Sequence, residues 1–230
     1  MLDKPIFSKL KHGQRQEELF ITNKVFFSSS SSISHTGISK ARDYANKMTI
    51  SQEGEHREYR TGGSHFRSSK EIFINAFQGK LAEVAFYEYF KDKGLQINEP
   101  DFETYPKGQW DNFDFLINNK KINVKSTKHF GNLMLLEQGD WNNNAEYIPN
   151  ICSNNHIYDL FVLLRIDSRT NNYDIPGFIT RNDLMHIIQK QHIIKKGQML
   201  NGKIPMDANN YYVQAGDMRN INSIRSFLCS

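Results

Sequence analysis

The chain has 230 residues, 38% of them hydrophobic and 12% aromatic, which suits one large domain, or a domain with a small appendage, around a sizeable core. A formal charge of +4 permits nucleic-acid binding without demanding it, and a mean hydropathy of -0.62 describes a soluble protein. Cys152 and Cys229 stand far apart with no C-x-x-C spacing, no signal peptide opens the chain, and no apolar run nears the ~18 residues of a membrane span, so disulfide, structural-zinc and membrane classes are excluded and the expectation is an intracellular, cytoplasmic protein.

Residues 1–52 carry the weakest patterns. Residues 20–27 suit a short strand, the serine-rich residues 28–34 a loop, and residues 39–48 a helix. The polar stretch 53–70 holds His56, Arg57, Arg60, His65, Arg67 and Lys70 around Gly62-Gly63. A solvated surface loop accounts for it. So does an arm whose glycine-flanked cations track a phosphate backbone, and the two readings carry equal weight. The chain thus divides into residues 1–70, a DNA-contacting or dimerisation arm, and residues 71–230, a core with a C-terminal elaboration.

The strongest helix pattern runs over residues 71–91. Ser68 or Ser69 can cap it, and Phe73, Phe77, Leu81, Val84 and Ala85 recur at helical spacing. Gly79 inside it costs about 1 kcal/mol relative to alanine, which suggests a close approach by another element. Glu83 follows one turn later on a small, apolar face with Ala76 and Phe86. A surface pair with Lys80, contributing only ~0.3 kcal/mol, accounts for it. A carboxylate aimed at a metal accounts for it equally, and the hairpin that follows tips the reading toward metal.

That hairpin lies within residues 110–128. Two apolar-alternating runs flank Asn118-Asn119, a pair that tolerates the positive φ of a two-residue turn. The turn pairs Ile117 with Lys120, Leu116 with Lys121, Phe115 with Ile122, and Asp114 with Asn123. Asp114, Asn123 and Lys125 then share one face, and Phe113, Phe115, Ile122 and Val124 share the apolar other. Opposed residues sit about 5 Å apart at Cβ, close enough for a carboxylate and a carboxamide to hold one cation, with a lysine beside it. A solvated strand face is the plainer account of each residue singly; their opposed register behind Glu83 favours a site. Asp111 is the fallback for Asp114.

Further on, residues 159–166 form a nearly continuous apolar run, a central strand covered on both faces. Residues 173–180 suggest a strand broken at Pro176-Gly177, and residues 181–191 a helix capped by Thr180. Residues 210–214 read as a short strand and 221–228 as a terminal helix. The expectation is an α/β (α+β) fold, with a central mixed sheet flanked by helices.

Glu83 on a helix, then Asp114, then Asn123-Val124-Lys125-Ser126-Thr127 on an antiparallel strand resembles the PD-(D/E)xK nuclease superfamily, the fold of many type II restriction endonucleases. The resemblance spans about residues 71–178. It implies a restriction-endonuclease-like core, catalytic Asp114, Asn123, Lys125 and Glu83, and a Mg2+ set of Asp114, Asn123, Val124 and Glu83. It further implies a sequence-specific endonuclease acting on double-stranded DNA as a homodimer, with one site per strand. Arg57, Arg60, Arg67, Lys70 and Lys128 are the candidate DNA contacts. One position departs from the pattern: the family expects an acid where this chain has Asn123. An amide oxygen can coordinate Mg2+ but brings no charge. Asn123 is then either natural, with Glu83 completing the ligands, or, as we prefer, the near-isosteric amide of an inactive form whose natural residue is aspartate. Lys125 would position or deprotonate the attacking water, or stabilise charge on the phosphate. Two other classes remain: a non-catalytic DNA-binding module, and a structure-specific repair or phage nuclease.

Overall fold

The computed structural model describes residues 5–50, 59–104, 113–153 and 156–229. In chain order the elements are β1 (Lys11–His12), β2 (Glu18–Phe20), β3 (Ser31–Ser32), α1 (His35–Thr49) and α2 (Ser69–Asp92). The hairpin β4 (Phe115–Ile117) and β5 (Lys120–Lys128) is followed by β6 (Leu133–Glu137), β7 (Leu160–Asp167), β8 (Asn172–Thr180) and α3 (Arg181–Gln189). The chain closes with β9 (Ile193–Ile194), β10 (Met199–Leu200), β11 (Ile204–Pro205), β12 (Asn210–Gln214) and α4 (Ile224–Leu228).

The fold is α+β. A five-stranded mixed sheet runs in the order β3-β8-β7-β5-β4, a second sheet in the order β6-β12-β9, and a third joins β1-β2-β10-β11. Within the first sheet β5 is antiparallel to β4 and parallel to β7, and β8 is antiparallel to β7. As the apolar run requires, β7 is covered on both faces. Val162 and Leu164 face a core built with Leu81, Phe86 and Phe90 of α2; Phe161 and Leu163 face a second core built with Leu184, Ile187 and Ile188 of α3.

Local signals explain the helices. Ser68 caps α2 in a capping box with Glu71, which holds the Glu71 carboxyl down at about 2 through the Ser68 backbone N–H, then His65 and the Ser68 hydroxyl. Thr180 caps α3 in the same manner with Asp183. Residues 1–70, read from the sequence as a segment before the core, supply β3 to the central sheet and lay α1 against α2.

Three expectations need correction, and one strand was not foreseen. Over residues 20–27 only Phe20 belongs to a strand, because Arg165 captures the backbone instead: its guanidinium donates to the Val25 and Phe26 carbonyls at 2.7 and 3.1 Å while paired with Asp174. Pro176 does not break β8; the pairing with β7 shifts by one residue there, and a bulge accommodates a residue without an N–H. A Cβ on Gly79 would meet nothing within 4 Å among the described residues, so none of the described elements approaches it closely. Leu133–Glu137 forms a strand that the local pattern did not suggest, held by its full pairing with β12.

Candidate functional site

The hairpin has the register expected of it: Phe115 pairs with Ile122, Leu116 with Lys121 and Ile117 with Lys120. Asn118 and Asn119 supply the turn with φ of 49° and 62°. Pairing stops at Phe115, so the apolar alternation does not reach Phe113, which packs against the second core while Phe115, Ile122 and Val124 pack in the first. Where β4 ends, the Val124 N–H loses its backbone partner, and the Asp114 carboxylate takes its place, accepting that N–H at 2.5 Å. A strand residue points its N–H and C=O to the same edge, which puts the Val124 carbonyl on Asp114's side.

Asp114 keeps some exposure, yet its carboxyl is surrounded by protein. Burial pushes its pKa up, against the opposing pull of Lys125, the Val124 N–H and Lys80. Asn123, which precedes the Val124 held by Asp114, is 8% exposed, and its Oδ1 is buried without a hydrogen-bond partner among the described residues. An orphaned buried acceptor costs on the order of 1–3 kcal/mol and calls for a reason. Lys125, two residues on, keeps the same side of the strand and reaches a cleft.

Glu83 is engaged on its own helix. Its carboxylate accepts from Lys80 Nζ at 2.7 Å, and the same ammonium donates to the Asp101 carbonyl at 2.6 Å and lies 4.5 Å over the Tyr44 ring. The surface pair weighed from the sequence is therefore present, but buried: Lys80 is 3% exposed. Among the described residues no group of three or more His, Cys, Asp or Glu side chains gathers to hold a metal. The oxygen set that remains is one carboxylate (Asp114), one orphaned amide oxygen (Asn123) and one backbone carbonyl (Val124). It suits a hard cation such as Mg2+, which retains several waters and takes only one or two protein carboxylates.

The cations separate into two groups. Arg60 and Arg67 line the same cleft as Lys125, a cavity of about 400 Å³ between α2, the start of the 59–68 segment and β6. Lys70 is exposed on the first turn of α2, and Lys128 is exposed at the end of β5, 5.9 Å over the Phe130 ring; neither lines the cleft. Arg57 and Asp111 lie outside the described residues. Sequence reasoning missed Glu137, Asp140 and Tyr147, which share the other cleft wall with Trp141. Only the long-range pairing of β6 and the folding of the 3-10 turns around Trp141 bring these residues to Lys125, so no local pattern announces them. Asn142 Oδ1 accepts the Asn144 and Glu146 N–H groups and closes a turn there.

Comparisons with protein-family models, with curated proteins and with solved structures each return no match. The site is therefore read from its own residues.

Proposed function

We propose that this protein is a Mg2+-dependent endonuclease of double-stranded DNA, built on a restriction-endonuclease-like core and acting as a homodimer that delivers one centre to each strand. The observation that carries this reading is the buried Oδ1 of Asn123, without a partner among the described residues, next to the Val124 N–H that the Asp114 carboxylate accepts, with Lys125 two residues along the same strand. Asp114, Asn123 and the Val124 carbonyl would hold the ion. Mg2+, when bound, supplies the Lewis acidity that activates water and neutralises charge on the scissile phosphate. Asp114 contributes the only charged oxygen of the set and is fixed by the Val124 N–H. Lys125 donates hydrogen bonds to the phosphate oxygen on which charge develops, an interaction stronger in the transition state than in the ground state. Arg60 and Arg67 hold the flanking phosphates at the cleft.

The test is hydrolysis of double-stranded DNA by single variants. Asp114→Asn and Lys125→Ala should each reduce cleavage at least about 100-fold, the scale of losing one transition-state donor. Lys128→Ala, outside the cleft, should leave it within a few-fold. Equal effects at all three positions would contradict the reading.

A second reading, a DNA-binding module without catalysis, is favoured by one specific observation. With Glu83 held by Lys80 and an amide at 123, the ion set carries a single negative charge. DNA binding without cleavage, even when Asn123→Asp restores the second charge, is its signature.

A further inference from the structure

We propose that the cleft beside Lys125 is a pocket for one unpaired nucleotide, so that the preferred substrate is DNA carrying an extrahelical or unpaired base; this rests on the nuclease reading and deepens it. Size comes first. A cavity of about 400 Å³ lies at the small end of the ~300–1,000 Å³ of small-molecule pockets, room for a nucleoside and not for a segment of duplex.

Its lining has the chemistry of a nucleotide. Tyr44 of α1, Tyr59, Trp141 and Tyr147 bring four aromatic residues to the lining. Bases stack on such rings whatever their identity. The cations Lys125, Arg60 and Arg67 sit in the same lining, where the phosphates flanking a swung-out base would pass.

The pocket is also preformed. Trp141 is 5% exposed and is buttressed by Tyr147 at 5.1 Å and Phe161 at 5.2 Å between ring centroids. On the opposite wall, Thr61 donates its N–H to Glu137 at 2.8 Å and its hydroxyl to Asp140 at 2.7 Å. Those two bonds pin the chain beside Tyr59 and Arg60 to the end of β6. Glu137 also lies 3.9 Å from the Arg60 guanidinium, so the same carboxylate that holds the wall fixes one of the cations of the lining. A preformed site keeps low the ordering cost of accepting the base.

The experiment measures binding by fluorescence anisotropy with Mg2+ omitted, so that nothing is cut. Three labelled duplexes are compared: fully paired, with a single unpaired adenosine, and with an abasic residue at that unpaired position. The duplex with the unpaired adenosine should bind about tenfold tighter than the paired one, and the abasic duplex should fall back to the paired value. Tyr59→Ala, at a residue 46% exposed, should erase the preference while leaving affinity for the paired duplex intact. Equal binding of paired and unpaired duplexes, or an abasic duplex that binds as well as the one with adenosine, overturns the pocket and leaves the nuclease reading standing. No binding to any of the three overturns both.

Discussion

Lys80 and Glu83 form a 2.7 Å ion pair one turn apart on α2, with the ammonium 3% and the carboxylate 14% exposed. Burial works against the Lys80 charge, but Glu83, Tyr44 and Asp114 together raise its pKa above the ordinary 10.5. With the folded pKa raised, the stabilisation is complete at neutral pH and is lost only as pH climbs above 10.5 through the folded value. Removing one partner strands the other. Lys80→Met should lower the unfolding free energy by about 3 kcal/mol in chemical denaturation at neutral pH. Glu83→Gln should likewise cost stability, and cleavage kept within about tenfold of the parent would assign Glu83 to Lys80 rather than to an ion.

Asp114 should show the reverse behaviour. Its raised pKa means that the unfolded chain releases the proton first as pH rises, so ionisation of Asp114 costs stability. The cost is absent below the ordinary value of 3.8, grows upward from there, and is complete above the folded pKa. Asp114→Asn keeps an oxygen for the Val124 N–H and removes the charge. Its Tm should exceed the parent's at pH 7 and match it near pH 3, while hydrolysis is lost. A lower Tm at pH 7 would mean that the carboxylate is a structural anchor.

Gly79 offers a test of the helix alone. A Cβ there meets nothing within 4 Å, and the residue lies inside α2. Gly79→Ala should stabilise the protein by about 1 kcal/mol, through helix propensity and a less disordered unfolded chain, with activity unchanged. A destabilised variant would reveal a contact that forms only in the working protein.

What the sequence made legible was what short-range chemistry decides. Asn118-Asn119 set the hairpin register, and Ser68 and Thr180 capped the helices they were expected to cap; the next expected pair, Asp114 with Asn123, lies beyond the ladder, where Asp114 accepts the Val124 N–H. What it concealed depends on distant partners. On helical spacing Glu83 reads as facing the hairpin, while the structure pairs it with a lysine three residues away that also donates to the Asp101 carbonyl and lies over the Tyr44 ring. Arg165 sits in an apolar run where nothing local predicts that it will bind Asp174 and two carbonyls of the 25–27 segment. The wall opposite Lys125 was invisible for the same reason, since Glu137 and Trp141 arrive through a strand whose partner lies over seventy residues away.

A phosphodiester-cleaving centre of Asp114, position 123 and Lys125 should reveal itself when plasmid DNA is incubated with Mg2+ and either this chain or its Asn123→Asp variant, which places a second carboxylate where the orphaned amide oxygen lies. Asn123→Asp should cut the plasmid at least tenfold faster than the parent, and adding Lys125→Ala to it should abolish the gain. An Asn123→Asp variant that cuts no faster than the parent, or a gain that survives loss of Lys125, would contradict such a centre.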